Sequence, residues 1–163
     1  MKFVCPICGK ILQRHEREYV CENRHSFDIA RQGYVNLLPV QNKRSLNPGD
    51  TREQVVARRR FLEGGFYTPI SEALNALAEG CEGPILDAGC GEGYYTREIA
   101  QQFDHLQLYG TDLSRDSIQL AAGTANGMGA GPADIKWFVS DISKLPVAEG
   151  SVDYVLDIFT SAN

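Results

Sequence analysis

The stretch ILDAGCGEGYYT, residues 85–96, constrains this chain more than any other. It begins as a continuous apolar run, as a strand buried on both faces does. It then passes without a spacer through Gly89, Gly91 and Gly93 into a helical pattern. Glycines so placed permit a tight turn and a close backbone approach to a ligand, which predicts a strand, turn and helix unit. Further apolar runs at 84–88, 107–111, 135–140 and 152–158 alternate with helical patterns from about 94 and from Ser114. The fold class is therefore α/β, a parallel sheet with right-handed crossovers. Residues 123–134, with four glycines and a proline, read as a loop.

Upstream, TPISEALNALAEG predicts an amphipathic helix with Thr68 as N-cap, Pro69 at its first position and Gly80 as terminator. Before it, DTREQVVARRRFLEGG predicts a helix with Asp50 and Glu53 as a capping box, Gly64–Gly65 as its stop, and Arg58, Arg59 and Arg60 exposed. The stretch LPVQNKRSLNPGD, residues 38–50, lacks periodicity and reads as a connector. Three parts result: a small module over 1–37, linker and helices over 38–80, and the α/β body over 81–163.

The small module cannot make a core of its own. It contains Cys5 and Cys8 as C-x2-C, then Cys21 and His25 as C-x3-H after twelve intervening residues, the spacing of a structural zinc site. Such a closed four-ligand shell folds a module and performs no chemistry. His15 lies inside the spacer and is a worse partner for Cys21, while Cys81 and Cys90 read as small buried residues. The start MKFVCPIC lacks the features of a secretory signal, which places the cysteines in a reducing cytoplasm, and no apolar run approaches the roughly 18 residues of a membrane span.

Charge divides the chain. Residues 1–63 carry 12 Lys+Arg against 7 Asp+Glu, and residues 64–163 carry 4 against 14, so the halves stand at +5 and -10. A basic front suits a polyanion and an acidic body repels one. Lys43, Arg44, Arg58, Arg59 and Arg60 are the candidate phosphate contacts.

The glycine loop is not a nicotinamide fingerprint, because its third glycine comes one position too early. Asp87 precedes the first glycine by two residues, and the pattern resembles motif I of Rossmann-like S-adenosylmethionine (AdoMet) methyltransferases. An ammonium and a sulfonium tolerate an acidic loop where a phosphate would not. Asp112 ends the second strand, in position for ribose hydroxyls. Asp141 ends the third, where in this fold an acid accepts from the adenine amino group.

Together the Cys5/Cys8/Cys21/His25 knuckles, FDIARQGYVNLLPVQNKR, PGDTREQVVARRRFLEGGFY and LDAGCGEGYYT resemble the RlmA-type (guanine-N1) methyltransferases of 23S ribosomal RNA over essentially the whole chain. The resemblance implies AdoMet and zinc as cofactors. It implies an rRNA hairpin held by the zinc module and basic residues, and AdoMet contacts from Tyr67, Tyr95 and Thr96. The family usually carries an aromatic, a small residue and proline after the fourth strand, whereas here Phe159 and Thr160 are followed by Ser161. Asp157 on that strand is the candidate acceptor for the guanine N1 proton.

The sheet of such enzymes has seven strands, of which four are placed here. The expectation is thus a poorly active piece of a longer enzyme. Its fourth strand, with Val155, Ile158 and Phe159, would be an exposed edge that invites pairing into a homodimer. The contrasting reading is a non-catalytic zinc-dependent RNA- or protein-binding module whose α/β half senses AdoMet.

Overall fold

The computed structural model describes residues 1–42, 45–127 and 135–160. Lys43 and Arg44 lie outside them, as do residues 128–134 of the expected loop. A five-stranded sheet is built from β4 (Tyr34–Asn36), β5 (Ile85–Ala88), β6 (Leu108–Asp112), β7 (Ile135–Val139) and β8 (Tyr154–Leu156). Its order is β4-β7-β6-β5-β8 and every pairing is parallel. Chain order runs outward from β5 through β6 to β7 and then jumps to β8 on the other side. The C-terminal ends of β5 and β8 therefore flank the topological switch point, where open α/β sheets bind ligands. The four expected strands are all present.

The fifth, β4, comes from the segment expected to be a separate small module. Tyr34, Val35, Leu37 and Leu38 are buried, and the Leu37 amide donates to the Val139 carbonyl, continuing the β4–β7 ladder. Residues 1–37 thus end inside the large sheet. Upstream, β1 (Gln13–Arg14), β2 (Glu18–Val20) and β3 (Ser26–Asp28) form a three-stranded antiparallel sheet.

That ribbon is seated on the body by the first four residues. Phe3 bridges to Val147, the Val4 amide donates to the Pro146 carbonyl, and the Ala148 amide donates to the Lys2 carbonyl. The Phe3 ring meets Tyr19 of the ribbon edge-on at 5.3 Å and Phe138 of β7 at 4.9 Å. Cys5, Leu12, Tyr19 and Cys21 then share one cluster with Leu86, Tyr109 and Phe138. The apolar area that the ribbon cannot bury within itself is buried against the sheet.

Four helices complete the fold: α1 (Arg52–Glu63), α2 (Thr68–Ala78), α3 (Tyr94–Gln102) and α4 (Arg115–Gly127). The cap of α1 is Thr51 with Gln54, one residue after the expected Asp50 and Glu53. The Asp50 carbonyl is occupied by the Ser114 hydroxyl, which pins the connector to the start of α4. Tyr67, not Thr68, is the N-cap residue of α2, because the Thr68 hydroxyl turns back to the Gly65 carbonyl. Helix α4 runs to Gly127, so residues 123–127 of the expected loop are helical; packing on β6 and β7 outweighs two glycines. Among the described residues no strand pairs with the outer edge of β8, where Val155 is exposed. No described helix is long and apolar enough to cross a membrane.

If Phe3 joins ribbon to body, Phe3→Ala should cost about 3–5 kcal/mol in urea unfolding, the usual range for a buried Phe. A loss under about 1 kcal/mol would show that the two parts are held by other contacts.

Candidate zinc and cofactor sites

The four ligand residues converge. The Cys5, Cys8 and Cys21 sulfurs and a His25 ring nitrogen lie within 4.8 Å of one another. Cys5 and Cys21 sulfurs each stand 3.5 Å from His25 Nδ1, and Cys8 stands 3.7 Å from Cys21. Two tight turns present them. Gly9, at φ 75°, donates its amide to the Cys5 carbonyl, and Arg24, at φ 64°, donates to the Cys21 carbonyl. The backbone N–H of Lys10 pulls the Cys8 thiol down to about 6, whereas burial pushes Cys5 up. Three sulfurs and an imidazole at this separation fit one tetrahedral zinc, with no open position. Cys81 and Cys90 are buried elsewhere, the first against the Leu77 carbonyl and the second in the glycine loop.

The second site lies at the switch point. Asp87 is the third residue of β5 and is 2% exposed. Its Oδ2 accepts the Thr96 hydroxyl at 2.6 Å. Burial raises the carboxyl to about 6 despite that bond, with the negative charges of Asp112 and Asp157 adding to the rise. Thr96 therefore positions Asp87. Asp112, at the end of β6, accepts the Gly91 amide through Oδ2 at 3.0 Å and the Ser114 amide through Oδ1 at 2.8 Å; burial raises it too.

The three glycines have separate reasons. All have positive φ, but a side chain at Gly89 would overlap the Thr160 methyl, and one at Gly93 would overlap the Trp137 ring. At Gly91 a Cβ would meet nothing within 4 Å, so this glycine faces open space beside the two acids. Arg58, Leu62, Asp87, Gly89, Cys90, Glu92, Tyr94, Tyr95 and Ile158 line the cleft. Two buried polar atoms on that lining lack partners, the Tyr95 hydroxyl and Glu92 Oε1. The other Glu92 oxygen pairs with Arg97 at 2.6 Å. Unpartnered buried polar groups are costly, so these two fit a polar ligand. The donor set, buried Asp87 beside half-buried Asp112, fits a cationic ligand such as AdoMet.

The remaining expected residues divide. Tyr67 stands at the rim, its ring 5.8 Å from Phe159. Asp141 lies two residues past the end of β7 rather than on it, and its Oδ1 accepts from the Ser143 amide and hydroxyl, capping a short turn. It lines a neighbouring hollow with Val4, Pro6, Leu37 and Lys144, between ribbon and sheet. Asp157 is exposed beyond β8 and accepts from the Thr160 hydroxyl. The three arginines do not share a face. Arg58 turns to the cleft, 3.8 Å from Asp50; Arg59 pairs with Glu63 at 2.8 Å and donates to Thr124 of α4 at 2.9 Å; Arg60 is exposed. Sequence reasoning missed Glu92, Tyr94 and the cleft-facing role of Arg58. The four-residue step from Arg58 to buried Leu62 was the available signal for the last.

Residues 3–46 match the family model described as RlmA, N-terminal, a zinc ribbon, and residues 85–162 match a methyltransferase domain. In order along the chain, then, a region similar to the RlmA zinc ribbon is followed by one similar to a methyltransferase domain. It is 32% identical over 164 residues to a 23S rRNA (guanine(748)-N(1))-methyltransferase of Streptomyces fradiae, across 98% of this chain and 55% of that protein. The chain spans 55–58% of the length of the curated rRNA methyltransferases it matches. Among solved structures, phosphoethanolamine N-methyltransferase 2 of Haemonchus contortus, in complex with S-adenosyl-L-methionine, superposes with TM-score 0.53 at 24% identity, over 64% of this chain and 25% of that one. A SAM-dependent methyltransferase of Aquifex aeolicus superposes with TM-score 0.52 at 17% identity, over 66% and 56%. These two likenesses show the fold of the methyltransferase domain.

Two outcomes follow for the sites. Freshly purified protein should contain one zinc per chain, and Cys21→Ser should lose the metal and unfold the ribbon; less than about half an equivalent, with a fold indifferent to chelator, would contradict this. For Asp87, a carboxyl raised in the folded state binds more protons than the unfolded chain between about pH 4 and 6, so its ionisation lowers stability as pH rises through that window. The stability of wild type relative to Asp87→Asn should fall by about 2–3 kcal/mol from pH 4 to pH 7 in urea unfolding. A flat difference would show that Asp87 is not desolvated.

Proposed function

We propose that the chain belongs to an enzyme that transfers the methyl group of AdoMet to guanine N1 in 23S ribosomal RNA. The observation that carries this reading is the coupling of two sites through one core. Strand β5 carries Asp87 to the cleft and, one residue earlier, places Leu86 in the packed cluster that seats the ribbon matching the RlmA N-terminal region. The Streptomyces fradiae relative, aligned over 98% of this chain, supplies the substrate class.

When bound, AdoMet supplies an electrophilic methyl on a positively charged sulfonium. The residues of this chain then have the following work. Asp87 and Asp112 present negative charge to the cationic and hydroxyl-bearing parts of the ligand, and Gly91 lets the backbone come close. The Tyr95 hydroxyl and Glu92 Oε1 offer polar partners from the lining. Asp157 stands at the end of β8, next to cleft-lining Ile158, and accepts the proton that guanine N1 must lose before its lone pair can attack. Most of the rate comes from positioning. The ribbon and the basic residues Lys43, Arg44 and Arg60 hold RNA phosphates, while Arg58 and Arg59 serve the cleft and the α1–α4 contact.

The test uses unmodified 23S rRNA, tritiated AdoMet and mapping of the modified base, with this chain and a full-length relative in parallel. The reading predicts N1-methylguanine with the relative, and with this chain AdoMet and RNA binding that Arg60→Ala weakens on the RNA side alone. Binding of both ligands with no methylated guanine in either reaction would instead establish a non-catalytic RNA-binding module.

A further inference from the structure

At the end of α1 the chain exposes three phenylalanines around one tyrosine. Phe61 and Phe66 stack nearly parallel, with centroids 5.0 Å apart and planes 10° from each other, and are 48% and 70% exposed. Phe61 also meets Tyr67 edge-on at 5.4 Å, and Tyr67 meets Phe159 at 5.8 Å. The rings form a path from open solvent to Ile158 on the cleft lining.

The path is built, not incidental. Gly65, at φ 82°, reverses the chain after α1. A Cβ at Gly64 would stand only 2.9 Å from the Phe66 ring, so Phe66 folds back on Phe61 only because Gly64 lacks a side chain. Phe159 has φ 57°, a conformation a bulky residue adopts at a cost, and it is 66% exposed. Strain that holds an apolar ring in water points to a ligand-facing role. Arg58 lies three residues before Phe61, on the same side of the helix. Arg60, next to Phe61 in sequence, has no ion-pair partner among the described residues. Flat rings with a free face, with Arg58 on the same side of the helix and a methyltransferase cleft beyond them, fit an unstacked nucleobase with its phosphate.

We propose that Phe66, backed by Phe61, is a stacking platform for an unpaired RNA base next to the nucleotide being modified, an inference that rests on the RNA-methyltransferase reading. Base and aromatic ring in such a stack contribute enough that removing the ring weakens binding roughly 5- to 150-fold.

The probe is a purine-rich single-stranded RNA oligonucleotide, alone and annealed to its complement, titrated over a range of salt. Phe66→Ala should lower affinity for the single strand at least about fivefold, leaving duplex affinity, the salt slope and AdoMet affinity as in wild type. Gly64→Ala keeps every ring but displaces Phe66, and should lose single-strand affinity likewise. Phe66→Trp should keep it, with RNA quenching the new fluorescence. If Phe66→Ala binds the single strand like wild type while Arg60→Ala binds it less well, the platform is refuted and the RNA reading survives. If wild type binds neither RNA, both fall. Self-association abolished by Phe66→Ala with RNA affinity unchanged would overturn the proposal and mark the patch as a protein contact.

Discussion

The Asp87 carboxylate is the constraint around which the cofactor cleft is organised. It sits near the C-terminal end of β5, fully desolvated, with a single hydroxyl donor and with Asp112 and Asp157 adding negative charge. An acid so placed costs stability at neutral pH. The surroundings make sense if a cation completes them: Thr96 fixes the carboxylate, Gly91 leaves room beside it, and Asp112 holds the Gly91 amide so that the loop cannot close the space. The cost in the free protein is the counterpart of affinity in the complex, a familiar arrangement at functional sites.

The ribbon answers a different problem. Its few apolar residues cannot close a core, and the cysteine and histidine ligands supply one anchor while Phe3 supplies the other. Because Phe3 touches Tyr19 on one side and Phe138 of β7 on the other, metal loss would be felt in the sheet that positions the cleft. The two sites are thus linked by packing without sharing a residue.

Much of this was legible in the residues, for physical reasons. Glycines at 89, 91 and 93 are demanded by positive φ and by crowding from Thr160 and Trp137, so the motif reports backbone geometry directly. The Cys5, Cys8, Cys21 and His25 spacing reports the reach of two tight turns. What stayed hidden depended on distant partners. Strand β4 is three residues long, and its burial is decided by β7, about a hundred residues later. Successive residues on a helix diverge by about 100°, so Arg58, Arg59 and Arg60 meet the cleft, α4 and solvent separately, although in sequence they read as one basic patch. Asp50 looked like a cap but its carbonyl is claimed by Ser114, and Thr51 caps instead.

The most direct test of the account is AdoMet affinity against pH, measured by calorimetry on wild type and Asp87→Asn. A carboxyl at about 6 in the free protein that faces a cation in the complex must give up its proton on binding. Wild-type affinity should therefore rise about tenfold per pH unit from pH 5 to about pH 6 and level off by about pH 7, with a proton released on binding in the acid range. Asp87→Asn should bind weakly and without that slope. Wild-type affinity constant from pH 5 to pH 7, or an Asp87→Asn variant with wild-type affinity and slope, would contradict the claim that this buried acid awaits a cationic cofactor.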